Sequence, residues 1–156
     1  MEGKTVRESH VVATQLVLPN DTNQLGNLLG GTLMHWIDIA AAISAQRHTD
    51  RVCVTASVDE LIFHQPIRLG EIVTLQASVN RVFRTSMEVG VLVTAQGTGR
   101  TPSRRANTAY LTFVALDERG SPVPVPAVHP ETDVEQKRFS QALDRRKRRL
   151  EHRRQE

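Results

Sequence analysis

Aromatic residues are scarce: the 156 residues hold four Phe, one Trp and one Tyr, so a core has to be assembled from Val, Leu, Ile and Ala. Cysteine is scarcer. Cys53 stands alone, which excludes an intrachain disulfide and any all-cysteine metal site. The six histidines, at 10, 35, 48, 64, 129 and 152, show neither H-x-x-x-H nor H-E-x-x-H spacing, so no metal centre is expected. No run of about 18 apolar residues is present to cross a membrane. The first residues also lack the basic, apolar, small-residue order of a secretory signal. The expectation is a cytoplasmic chain with no membrane partner. A G-x-S-x-G nucleophile elbow is missing too. Gly30-Gly31 is followed by Thr-Leu, so it opens neither a P-loop nor a dinucleotide fingerprint.

What remains is an ordinary soluble composition, 39% apolar and 24% charged, at the length of one domain. The isoelectric point of about 9.6 suggests a nucleic-acid binder until the charge is located. Residues 1–129 hold 11 basic and 11 acidic side chains. The whole excess of +3 sits in residues 130–156, densest from Arg145 to Arg149. The body is neutral, and the tail reads as a solvated charged helix rather than a polyanion-binding device. No nucleic-acid partner is expected.

Apolar residues alternate with period two at Val52, Val54, Ala56 and Val58, with Cys53, Thr55, Ser57 and Asp59 on the other face. The alternation returns at Val73–Val79, Met87–Ala95 and Ala109–Ala115, and more weakly from His10 to Leu18. The short break at Arg84-Thr85-Ser86 predicts an antiparallel hairpin. From Gly30 to Arg47 the pattern changes to one that is apolar nearly all round, without proline, which predicts a long buried helix. This order fits an α+β architecture, a curved antiparallel sheet wrapped around one central helix. Pro122-Val-Pro124-Val-Pro126 must be extended. Thr132 then stands three residues before Glu135, a capping-box spacing that starts a charged C-terminal helix. Its few apolar residues predict light packing, on the body or on a neighbouring subunit.

Asp38 is the most informative residue. It is the only charged side chain between Thr22 and Gln46, in the middle of the apolar helix. Folding alone does not favour an unpaired carboxylate there. An acid in apolar surroundings has its pKa raised and can serve as general base or nucleophile. The segment Asn23-Gln-Leu-Gly26-Asn-Leu-Leu-Gly30-Gly31 leads into that helix. Glycines at a helix start admit close approach to N–H groups that lack helical acceptors, which suits an oxyanion hole and equally suits tight packing. Cys53 reads as a core residue, and His35, one turn before Asp38, as structural.

Leu18-Pro19, Asp21-Thr22-Asn23, the Asn-x-x-Gly-x-x-x-Gly-Gly run and Trp36-Ile37-Asp38 resemble the acyl-CoA thioesterases of hotdog fold, closest to the cytosolic (brain-type) acyl-CoA hydrolases. Val54 to Asp59, Phe63-His64 with Ile67-Arg68-x-Gly70, Ser86 to Val89, and Pro130-Glu131-Thr132 through Phe139 extend the likeness to residues 8–140. The resemblance implies a hotdog domain over residues 8–125 and a basic helical tail over 130–156. It implies hydrolysis of fatty acyl-CoA to a carboxylic acid and CoA, with no cofactor beyond the CoA of the substrate. Asp38 would be base or nucleophile, Asn23 would position the water or thioester, and backbone near Gly31 would polarise the carbonyl. Thr55 would assist. Gly30, Arg84, Thr85, Ser86 and Arg105 would contact the substrate, the arginines through the phosphates of CoA. Asn27 stands where some members carry Asp, which leaves that position without an assigned role. The chain would self-associate as a dimer and then a trimer of dimers. Each site would take Asn23 from one protomer and Asp38 from the other.

Other readings need more than the sequence offers. A hotdog dehydratase or hydratase needs a His–acid arrangement in a different loop context. Non-catalytic acyl-CoA-binding sensors on this fold carry a DNA-binding module ahead of the domain, for which residues 1–9 are too short.

Overall fold

A computed structural model describes residues 1–59, 61 and 63–155. Its elements in chain order are β1 (Lys4–Thr5), β2 (Val11–Leu16), α1 (Gly30–Thr49), β3 (Cys53–Asp59), β4 (Ile72–Val82), β5 (Ser86–Gln96), β6 (Arg104–Ala115), β7 (Val128–His129) and α2 (Asp133–Gln155). Five strands form one antiparallel sheet in the order β2-β4-β5-β6-β3. The pair β1–β7 is a separate short parallel ribbon. β2 and β3 are the edges of the main sheet.

Alternation places Val73, Leu75, Ala77 and Val79 of β4 on the inner face, with Met87, Val89, Val91, Val93 and Ala95 of β5. Ala109, Leu111 and Phe113 of β6 join them, all at 1% exposure or less. Leu33, Ile37, Ala40, Ala41 and Ala45 of α1 complete this core. Each Val, Leu or Ile so buried contributes about 1.5–3 kcal/mol. The absence of many large aromatics is met by small α1 residues, which let the helix lie close to the sheet.

Two expectations change. The helix is buried on one side only within the chain, because the sheet wraps half of it; Ile39 and Ile43 on the other side are 46% and 40% exposed. The apolar residues of β3 do not share one face either. Thr55 pairs with Phe113 and Ser57 with Thr112, which leaves Ala56 as an unpaired bulge. One extra residue reverses the parity of everything after it. Thr55 therefore faces α1, while Ser57 and Asp59 face the outer side, and Val54 and Val58 end on opposite faces at the exposed edge.

The proline segment is extended, with Val123 and Val125 donating N–H bonds to Ala115 and to Arg84. α2 starts as expected: Thr132 Oγ1 accepts from the Glu135 N–H at 3.1 Å, while the Glu135 carboxylate reaches the Glu131 N–H. The light, solvated packing expected of this helix is not found. α2 crosses the outer face of the sheet and is anchored strand by strand. Arg81 of β4 stacks on Phe139 at 3.9 Å and donates to its carbonyl. Arg145 makes a two-pronged ion pair with Glu88 of β5, at 2.9 and 2.6 Å, and lies over Tyr110 of β6. Arg149 pairs with Asp59 of β3 at 2.9 Å. The outer face is polar, so charge rather than apolar area holds its covering helix.

Candidate active site

The parity reversal in β3 brings two sequence-selected residues together. The Thr55 hydroxyl donates to Asp38 Oδ1 at 2.7 Å, fixing a half-buried carboxylate on the flank of α1. His35, one turn earlier, is exposed. Cys53 lies near the end of α1, its Sγ 3.2 Å from Thr49 Oγ1; it is partly buried against the core rather than within it, and burial pushes its thiol pKa up.

Asn23 is built into the loop before α1. Its Oδ1 accepts from the N–H groups of Leu25 and Asn27, at 2.9 and 3.1 Å. Gly26, at φ +76°, makes the tight turn between them, where a side chain would be strained. The carbonyl side of the Asn23 amide is thus occupied, while its Nδ2 makes no hydrogen bond among the described residues. Beside it, the Asn27 Oδ1 is buried without a hydrogen-bond partner among the described residues. The loop is tied to the segment after β3 by Leu28 N–H to Ile67 and Leu69 N–H to Gly26.

Leu29 closes the first helical hydrogen bond, accepting from Leu33 N–H at 3.1 Å. The N–H groups of Gly30, Gly31 and Thr32 therefore have no helical acceptor. A Cβ on Gly31 would meet nothing within 4 Å, so this helix start opens onto free space. A Cβ on Gly30 would come 3.3 Å from the Phe63 ring. An apolar pocket of about 280 Å³ begins there, lined by Leu28, Gly30, Leu33, Phe63, Ile67 and Asn107. Nothing in the sequence pattern marks this pocket, because its walls come from three separate stretches of chain. Asp38 lies seven residues beyond Gly31, roughly 10 Å along the axis.

The other candidates lie on the sheet. Arg84, Thr85 and Ser86 form the β4–β5 turn, closed by Phe83 N–H to Ser86. Met87, Phe113 and Thr55 share one row across β5, β6 and β3, so this turn is at the Thr55 end of the sheet. It is about 10 Å, two strand spacings, from Thr55. Arg105 pairs with Thr94, eight residues along β5 from Ser86. At the usual rise that is about 27 Å, so one protomer does not bring Arg105 to the turn.

Residues 25–101 match the family model of the thioesterase superfamily. An uncharacterized acyl-CoA thioester hydrolase of Bacillus subtilis is 45% identical over 97% of the chain and 90% of its own length. A cytosolic acyl coenzyme A thioester hydrolase of Rattus norvegicus is 38% identical over 92% of the chain, which spans only 38% of that longer protein. An acyl-CoA hydrolase of Bacillus cereus superposes with a TM-score of 0.95 at 39% identity, over 99% of the chain and 94% of its own. The acyl-CoA hydrolase of Staphylococcus aureus, solved with butyryl coenzyme A and coenzyme A, gives 0.91 at 40% identity, over 96% and 91%. Variants of that enzyme replace an Asn, an Asp and a Thr, spaced 15 and 17 residues apart, by Ala. An apo acyl-CoA thioesterase described as hexameric gives 0.94 at 36% identity, over 97% of each chain.

Proposed function

Because this chain belongs to the thioesterase superfamily, as an acyl-CoA thioester hydrolase, we propose that its reaction is carried by the Asp38 carboxylate. The observation behind this reading is the hydrogen bond from Thr55 to the one acid on α1, whose basic residues lie only in its last turn. Asn23, Asp38 and Thr55 are spaced 15 and 17 residues apart, the spacing of the three residues replaced in the Staphylococcus aureus enzyme.

In the general-base form, Asp38 takes a proton from water as the water oxygen attacks the thioester carbonyl. The oxyanion is received by the unpaired N–H groups at Gly30 and Gly31, where the helix dipole favours negative charge. The C–S bond then breaks, the acid is released, and the CoA sulfur takes up the proton. In the nucleophilic form Asp38 attacks directly and water then cleaves the mixed anhydride. Thr55 orients the carboxylate in both. Asn23 offers its Nδ2 to the water or the thioester. The apolar pocket beside Gly30 receives the acyl chain. The chemistry calls for no cofactor.

Arg84, Thr85, Ser86 and Arg105 serve the phosphates of CoA, with Arg105 coming from another protomer. β3 is the edge through which two copies join, since Val54 and Val58 are 44% and 43% exposed there, and three dimers make a hexamer. Each site pairs Asn23 of one protomer with Asp38 of its partner, and the enzyme works in the cytoplasm.

Release of free thiol from an acyl-CoA series tests the activity and the chain length together. No thiol release with any chain length sinks the reading. Asn23→Ala and Asp38→Ala should each be nearly inactive. Refolded together in equal amounts, they should recover about a quarter of parental activity if assembly is random. No recovery in verified mixed dimers would return both residues to one chain.

A further inference from the structure

We propose that Arg104 is a positioning residue for acyl-chain selection, because it latches the segment 63–71 that walls the apolar pocket beside Gly30. This deepens the hydrolase reading above and rests on it.

A bulge in β6 decides which arginine turns inward. Val93 pairs with Asn107 and Thr94 with Arg105, so Ala106 is left over. The extra residue reverses the parity of the strand. Arg104 therefore joins Asn107 and Ala109 on the inner side, opposite buried Ala95, while Arg105 turns outward. Unbroken alternation would set the two arginines the other way round. Ala95 pairs in turn with Val73 of β4 and presents only a methyl group. The Arg104 side chain passes it and reaches Glu71, two residues before Val73.

There the guanidinium makes three hydrogen bonds. Nη1 donates to Glu71 Oε1 at 2.5 Å and Nη2 to Glu71 Oε2 at 3.0 Å, a two-pronged ion pair. Nη2 also donates to the Pro66 carbonyl oxygen at 3.0 Å. The Arg68 N–H donates to Glu71 Oε2 at 2.7 Å, so both ends of the turn are held. The hydrogen bonds from Arg104 keep the Glu71 carboxyl below the usual carboxylate range.

What the latch holds gives it a role in function. Phe63, Gln65, Pro66 and Ile67 line the pocket. From Ile67 onward the segment is tied by backbone bonds to Leu28, Gly26 and Val17. Residues 63–66 make one hydrogen bond among the described residues, the one from Arg104 to Pro66. Phe63 is exposed, with its ring only 3.3 Å from where a Cβ on Gly30 would stand. One guanidinium thus joins the least supported wall of the pocket to the end of a core strand. A partly exposed ion pair contributes little to folding, so its loss reads out in the shape of the pocket.

The test is the acyl-CoA chain-length series read on Arg104→Met, which keeps the reach of the side chain and removes all three bonds. kcat/KM should fall about ten- to a hundredfold for the longest chains the parent hydrolyses, the usual effect of a displaced positioning group. It should fall no more than a few-fold for acetyl-CoA, whose acyl group fills least of the pocket. A fold that is merely weakened lowers the active fraction equally at every length. Glu71→Gln covers the case in which Arg104→Met fails to fold, and should tilt the profile in the same direction. Amide hydrogen exchange needs no turnover, so its outcome is separate from that of the hydrolase reading. Exchange over residues 63–67 should quicken in Arg104→Met while β4, β5 and β6 keep parental protection. A profile lowered by one factor at every chain length, or parental exchange over residues 63–67, overturns the proposal.

Discussion

The two faces of the sheet are covered by helices held in opposite ways. α1 sits on the inner face through Leu33, Ile37 and a set of alanines against Val, Leu and Phe113, and its one acid makes no ion pair among the described residues. α2 sits on the outer face through Arg145–Glu88, Arg149–Asp59 and arginine–aromatic stacking, with Ala142 as its only fully buried residue. A charge that is paired is there for attachment. A charge left unpaired where packing is apolar is there for chemistry. The contrast makes the effect of each substitution depend on which face it touches.

Asp38→Asn should give the largest effect, a loss of about 10²–10⁴-fold in thioester hydrolysis, because the amide is neither base nor nucleophile. Its melting temperature should stay close to the parental value. Activity within a few-fold of the parent would erase the distinction between the faces. Arg145→Ala is the converse. The Glu88 side chain is 1% exposed, and stranding it should cost about 3–5 kcal/mol of stability in denaturant unfolding. Exchanging the pair for Met and Leu should recover most of that loss. A single variant as stable as the parent would mean that α2 is held by something other than this pair.

Thr55→Val comes next. It keeps the shape of the side chain but removes the 2.7 Å hydrogen bond, and kcat should fall about tenfold with little change in stability. The smallest effect is at His48, where α1 meets the proline segment. Its Nε2 is 2.7 Å from the Pro126 carbonyl oxygen, its ring is fully buried, and burial pushes its pKa below the usual value. Lys4, Glu8 and Asp50 are the charged groups around it. The unfolded chain therefore binds the proton first. Stability is complete above about pH 6.5 and is lost as pH falls below it. His48→Gln should flatten the melting temperature between about pH 7 and pH 5; an unchanged slope would place the titration elsewhere.

Much of this was legible in the sequence because the inner face obeys simple periodicity. Val73–Val79 and Met87–Ala95 alternate, Gly30–Arg47 is apolar and proline-free, and each became the expected element. Asp38 stood out because a lone acid in such a helix has no reason of packing. The outer face could not be read in the same way. Glu88 looks like any polar strand residue, and the arginines look like a solvated helix, until the bulges in β3 and β4 decide which side chains meet. Bulges leave no mark on composition. The apolar pocket escaped for a related reason: Leu28, Leu33, Phe63 and Asn107 converge only in space.

The bulge in β3 also marks where this strand can change its length. Removing Ala56 would leave Thr55 opposite Phe113 and still set Ser57, Val58 and Asp59 opposite Thr112, Leu111 and Tyr110. The strand would become one residue shorter, with every side chain on its present face. Removing a neighbour instead would have to draw Ala56 into the ladder, in place of the hydroxyl that holds Asp38 or of a residue on the outer side. An edge strand that serves two helices has one dispensable residue, and it lies between the two it must keep apart.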